Sequence, residues 1–168
     1  MLLTVLAITF QLAVLAQTPY ISFPDERHPE ATIVNGIVSK YILINDPSFK
    51  KWYDPNHVNY NPDTALLNAM ERSKGKLQYV VFGGTWCDDT RFILPKFFKA
   101  QEKSGVQDKD IAFFGVNRQK KTLGNITESF KILNVPTIIV MKDGKEIGRV
   151  VEYGKTGAWD KELAEIIK

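Results

Sequence analysis

From Leu77 onward the apolar pattern changes period. Leu77, Tyr79, Val80, Val81 and Phe82 form a continuous β-favouring run, whereas Phe92, Ile93, Phe97, Phe98 and Ala100 recur at helical spacing up to Lys103. Gly83-Gly84-Thr85 punctuates the two, so the stretch reads strand, turn, helix, with Cys87 at the junction. Pro95 falls inside the predicted helix, where a proline removes a backbone hydrogen bond and bends the axis. Ile111 to Val116 is a second unbroken apolar run, suited to a strand covered on both faces. Asn125 to Asn134 reads as a short helix with Phe130, Ile132 and Leu133 on its apolar side. Thr137 to Met141 and Ile147 to Val151 are strands joined by an Asp143-Gly144 hairpin turn. Gly157 to Lys168 closes the chain as an amphipathic helix with Trp159, Leu163, Ile166 and Ile167 inward.

Upstream of this block the signals are shorter. Asn61-Pro62-Asp63 carries capping side chains around a proline suited to a first helical turn and predicts a helix from Pro62 to Ser73, ended by Gly75. Thr32 to Ile44 holds two β-rich stretches interrupted by Asn35-Gly36, a turn or a bulge, and so offers strands to a sheet edge. Asp46-Pro47-Ser48 leads into a short aromatic segment, and Phe49, Trp52 and Tyr53 there read as packing residues in preference to a ligand platform. Gln17 to Pro29, with Pro19, Pro24 and Pro29, reads as an extended lead-in.

Residues 1–16 carry no charge and end in Val14-Leu15-Ala16, which fits a secretory leader cleaved after Ala16. No Lys or Arg stands near Met1, so an uncleaved anchor is the alternative. The expected organisation is therefore a signal peptide over 1–16, an extension over 17–60 that adds edge strands, and a domain over 61–168. Export to the periplasm or the exterior follows, with no membrane attachment after cleavage. Composition adds little beyond this: 44% hydrophobic and 24% charged residues in 168 is an ordinary globular profile. Twenty-two Lys and Arg against 19 Asp and Glu give +3, too even for a nucleic-acid footprint.

The cysteine count changes the picture more. In an exported chain structural cysteines come in pairs, yet Cys87 stands alone. It reads as a free reactive thiol or the site of an intermolecular disulfide, with a small buried hydrophobe as the bland alternative. A thiol in the first turn of a helix faces unpaired backbone N–H groups and the positive end of the helix dipole, which favour the thiolate. Asp88 and Asp89 oppose it, although acidic residues also suit a first helical turn for their own sake. His28 and His57 are isolated and supply no zinc spacing, so no metal is expected. No dinucleotide or phosphate fingerprint is present and no cofactor is expected.

Thr85-Trp86-Cys87-Asp88-Asp89-Thr90 after an apolar strand, Pro95 beyond the cysteine, and Val135-Pro136-Thr137 opening a later strand together resemble the thioredoxin superfamily. The match is to a monothiol variant of its Trp-Cys-x-x-Cys pattern, most like secreted bacterial proteins with Trp-Cys-x-Asp-Ser/Thr. It runs from Leu77 to Lys168. The resemblance implies an α/β thioredoxin-like three-layer fold, a central mixed sheet flanked by helices, here with an N-terminal extension. It also implies that Pro136 is cis and faces Cys87, that the Val135 backbone pairs with an extended substrate, and that Trp86 flanks the thiol. The acidic residue that dithiol members keep six positions before the cysteine is replaced by Val81.

Thr90 takes the place of the second cysteine. Three residues along a helix, its hydroxyl is placed beside the sulfur, able to donate a hydrogen bond but not to form a disulfide. The implied activity is monothiol exchange, in which Cys87 attacks a protein disulfide or a glutathione mixed disulfide and an external thiol reductant releases it. Two alternatives stand beside this: a binding or chaperone-like module that keeps the groove without turnover, and a one-cysteine peroxidase. Of the basic run Arg118-Gln119-Lys120-Lys121, one cation could favour a thiolate or an acidic partner; the plainer reading is a solvated loop.

Overall fold

The computed structural model describes residues 19–168. The leader reading, over 1–16, lies outside the described residues. Six strands form one mixed sheet: β1 (Tyr20–Pro24), β2 (Thr32–Ile37), β3 (Gln78–Gly83), β4 (Ile111–Gly115), β5 (Thr137–Lys142) and β6 (Lys145–Val151), in the order β1-β2-β4-β3-β5-β6. Only β3 and β4 run parallel; the other neighbours are antiparallel. The continuous apolar runs of β3 and β4 are explained by their central place, and the Asp143-Gly144 turn joins β5 to β6 with both residues at positive φ, as a tight hairpin requires.

The helices are α1 (Lys40–Asn45), α2 (Pro47–Val58), α3 (Thr64–Arg72), α4 (Asp88–Ser104), α5 (Ile126–Ser129) and α6 (Trp159–Ile167). The period-2 alternation of the strands splits the core. Tyr79, Val81, Ile138 and Val140 face Leu43, Phe49, Tyr53, Met70, Phe97 and Leu163 from α1, α2, α3, α4 and α6. Phe82, Val116 and Ile139 face the other way, against Ile132, Val135 and Phe130 in the segment that begins with the single turn α5. The sheet is thus covered on both faces, heavily on one and thinly on the other.

Three expectations upstream of Leu77 change. The proline-marked lead-in contains strand β1, whose ladder with β2 runs from Tyr20–Gly36 to Pro24–Thr32; Pro24 is tolerated because it ends an edge strand. Asn35-Gly36 lies inside β2 and is not a turn. Gly36 has φ +124°, and a Cβ there would sit 2.5 Å from the Pro19 carbonyl oxygen, so the strand crosses its neighbour too closely for any side chain. The second β-rich stretch is helix α1, started by Ser39, whose hydroxyl accepts from the Tyr41 N–H at 3.3 Å. The aromatic segment is helix α2, with Phe49 and Tyr53 buried as expected.

The extension is fastened to α4 by charge as well as by packing. Lys40 is 8% exposed, and its ammonium lies 2.8 Å from Asp108, 2.7 Å from the Gln101 side-chain oxygen and 3.4 Å from Glu102. Glu102 also meets His57 at 2.9 Å, and the His57 ring stacks on Tyr53 at 5.5 Å. His57, isolated in the sequence, belongs to this network.

Candidate functional site

β3 ends at Gly83, and the loop Gly84-Thr85-Trp86 delivers Cys87 to the N-cap position of α4 with extended backbone (φ −95°, ψ 125°). The Cys87 N–H donates to the Gly84 carbonyl at 2.9 Å, closing the turn. The thiol is free and partly exposed, and its Sγ–H donates to the Val135 carbonyl at 3.3 Å, next to the cis Val135-Pro136 bond. Cys87, Val135 and Pro136, 48 positions apart across the first pair, are therefore brought together. Asp88 and Asp89 form the first turn of α4 beside the sulfur, Asp88 with its side chain 93% exposed. Arg91, one turn further on, donates from Nε to the Thr85 carbonyl at 2.7 Å and reaches Asp88 at 3.4 Å, bracing the loop from the helix side.

Trp86 folds back across the loop. Its indole N–H donates to the Val116 carbonyl at 3.0 Å, and the ring lies so close over Gly84 that a Cβ there would be 2.5 Å from Nε1. Gly84→Ala must push the indole away and break that hydrogen bond. The expected cost is about 1 to 3 kcal/mol, read as a lower urea midpoint with unchanged slope. An unchanged midpoint would show that the indole does not occupy this place.

Thr90 requires a correction. It is 0% exposed, and its hydroxyl oxygen accepts from the Gly84 N–H at 3.2 Å; among the described residues it makes no hydrogen bond to the Cys87 sulfur. Helical spacing alone puts the hydroxyl on the side of the sulfur, but the side chain is turned toward the end of β3, where its oxygen meets the Gly84 N–H. Thr90 holds the loop that carries the thiol.

Two parts of the site were not found from sequence. Tyr153, just beyond β6, packs at a tilt of 46° against Phe92 of α4, 5.8 Å between centroids. Burial first, and then the charge of Asp89 in the first turn of α4, push its phenol above the ordinary range. An aromatic between the last strand and Gly154 was the only available signal. The other part is the ion pair between Asp25 and Arg118. Arg118 donates from Nε and Nη2 to the two Asp25 oxygens at 2.5 and 2.6 Å, and its guanidinium lies 5.2 Å from the Trp86 ring centre. Of the basic run, then, Arg118 is committed to Asp25 and Lys121 to Glu128, and neither stands free for an acidic ligand.

Hydrogen bonding from Arg118, opposed by burial and aided by the Arg27 N–H, holds the Asp25 carboxyl at about 2, below the ordinary 3.8. A depressed carboxyl stabilises the fold where it is ionised. The contribution is complete above pH 3.8 and is lost as the pH falls through about 2. The stability difference between the wild type and Asp25→Asn should shrink over that window in acid unfolding curves; a constant difference would remove the ionised pair from the account.

Comparisons with known proteins agree with this geometry. A family model described as Thioredoxin matches residues 63–167. Thioredoxin H3 of Arabidopsis thaliana is 38% identical over 92 residues, 55% of this chain and 72% of that protein. A thioredoxin-like protein of Acanthamoeba polyphaga mimivirus is 32% identical over 87 residues, and the chain spans 60% of its length and 52% of its own. A crystal structure of a protein of unknown function from Pseudomonas aeruginosa shares the fold, with a TM-score of 0.51 at 16% identity over 76% of this chain and 89% of that one. The family match begins just before α3, leaving β1, β2, α1 and α2 outside it, and takes in the Cys87 loop, α4 and the Val135-Pro136 turn. The chain belongs to the thioredoxin family.

Proposed function

We propose that this chain is a monothiol thiol–disulfide oxidoreductase working outside the cytoplasm, on protein disulfides or glutathione mixed disulfides, with a separate thiol as reductant. The observation that carries the reading is a single free cysteine at the N-terminus of α4 against the Val135-Pro136 turn, with Thr90 where a resolving cysteine would stand. The Cys87 thiolate attacks one sulfur of a disulfide, a Cys87–substrate disulfide forms, and the other sulfur leaves as a thiolate. An external thiolate then attacks the substrate sulfur of that mixed disulfide and Cys87 departs as thiolate, so the chain itself undergoes no net oxidation. In both steps the sulfur stands at the N-cap of α4, with Asp88 and Asp89 in the first turn beyond it. Export is supported by the uncharged apolar residues 1–16.

Mixing the reduced protein with glutathione disulfide should give one glutathionyl adduct per chain by intact mass, removed by added reduced glutathione. Absence of the adduct under oxidising conditions would overturn the reading.

One observation favours a second reading, a binding or chaperone-like module. Leu133, two residues before Val135, is 80% exposed, which leaves a large apolar side chain in solvent close in sequence to the turn that receives the Cys87 thiol. In that case Cys87→Ser leaves the affinity for an unfolded polypeptide unchanged while exchange is absent from the wild type.

A further inference from the structure

The N-terminal hairpin reaches the thiol loop at two places. Thr85, two residues before Cys87, donates from its hydroxyl to the Thr32 carbonyl at 2.8 Å and accepts from the Val34 N–H at 3.3 Å, both in β2. Asp25, the residue after β1, is 1% exposed and is itself fixed by its own N–H to the Ala31 carbonyl at 2.9 Å and by the Arg27 N–H at 3.0 Å. Its two oxygens take both sides of the Arg118 fork, a bidentate geometry that sets the plane of the guanidinium as well as its position. Arg118 would otherwise be a long side chain free to turn into solvent. Held this way it lies on the Trp86 ring, and Trp86 adjoins Cys87 in the chain.

From this we propose that Asp25 is a positioning residue for the thiol site. Acting through Arg118 it holds the Trp86 ring as a fixed wall beside Cys87, so the hairpin outside the family match helps to decide which disulfides the thiol accepts. The carboxylate neutralises the guanidinium, so the wall presents a flat ring backed by an ion pair and not a free cation. It serves a substrate long enough to lie along Trp86, a peptide disulfide, and is indifferent to a small reagent that needs only the sulfur. The inference rests on the exchange reading.

The test compares two probes on the full chain. One is a short peptide whose cysteine is held as a mixed disulfide with thionitrobenzoate, turned over in excess glutathione; the other is iodoacetamide. Asp25→Asn should raise KM for the peptide about tenfold with kcat and the iodoacetamide rate within about twofold, because a loosened wall costs binding and leaves the sulfur alone. In a Trp86→Ala background Asp25→Asn should add nothing further, since its effect passes through that ring. Should Asp25→Asn fail to fold, Arg118→Lys is the substitute, as it keeps the charge but loses the fork and the stacking. A wild type that turns over the peptide, with KM unchanged in the variant, overturns this inference and leaves the exchange reading intact. A KM effect that persists in full without Trp86 does the same. A wild type inert toward the peptide overturns both.

Discussion

Cys87→Ser should reduce exchange to the uncatalysed background, with no adduct from glutathione disulfide and no turnover of a mixed-disulfide peptide. The chemistry leaves no substitute. A serine hydroxyl is not ionised near neutral pH, and alkoxide attack on a disulfide has no counterpart in the exchange cycle. Nor does the chain hold a second cysteine that might act in its place. The fold should be nearly unaffected, because the sulfur contributes one hydrogen bond, to Val135, and serine can make the same bond. A stability change beyond about 1 kcal/mol would mean that Cys87 also packs the loop. Residual exchange above background would mean that the measured activity belongs to something other than this thiol.

The second large effect is a gain. Thr90→Cys places a thiol three residues after Cys87, a spacing that on a helix leaves Cα atoms within the range a disulfide spans. The variant should form an internal disulfide on oxidation and reduce insulin disulfides, which the wild type should not do beyond its one-thiol background. It also carries a cost. Thr90 is fully buried and its oxygen accepts from the Gly84 N–H at 3.2 Å; sulfur is a weak acceptor, so the reduced variant should lose about 1 kcal/mol. Loss of stability without insulin reduction would show that the loop and the absence of an acid at Val81 keep the chain from dithiol chemistry even with the second sulfur in place. Neither loss nor gain would mean that the hydroxyl does not hold the loop.

From Leu77 onward the chain was legible, except that the helix expected over Asn125 to Asn134 is only the turn Ile126–Ser129 and Leu133 is exposed, because its signals are local and elsewhere agree with one another. The apolar run of β3, the helical spacing of α4 and the Asp143-Gly144 turn each specify one element, and the packing asks for the same element. Upstream they conflict. Ile42, Leu43 and Ile44 form a run too short to show a period, and Ser39 as a cap, with Lys40 drawn to Asp108 and Gln101, settles that segment as a helix. β1 was hidden by its prolines, since what makes it a strand is the partner β2 and not its own composition.

At the site, Cys87 was legible from its place at a strand-to-helix junction, whereas its contact with the Val135-Pro136 turn was expected only through the family resemblance, as no local rule joins residues 48 positions apart. Thr90 was placed on the helix, where it lies, but its oxygen meets the Gly84 N–H and not the sulfur, because helical spacing describes the helix and not the turn before it. Asp25 and Arg118 are 93 positions apart, and nothing in either segment names the other.

The central claim is that one thiol suffices because an outside thiol completes the cycle. The direct measurement is the number of turnovers when a small amount of the protein is given excess glutathionylated peptide and excess reduced glutathione. Many peptide thiols should be released per chain, at a steady rate that rises with glutathione concentration. Release of a single equivalent per chain followed by arrest, with Cys87 left as a stable mixed disulfide, would contradict it.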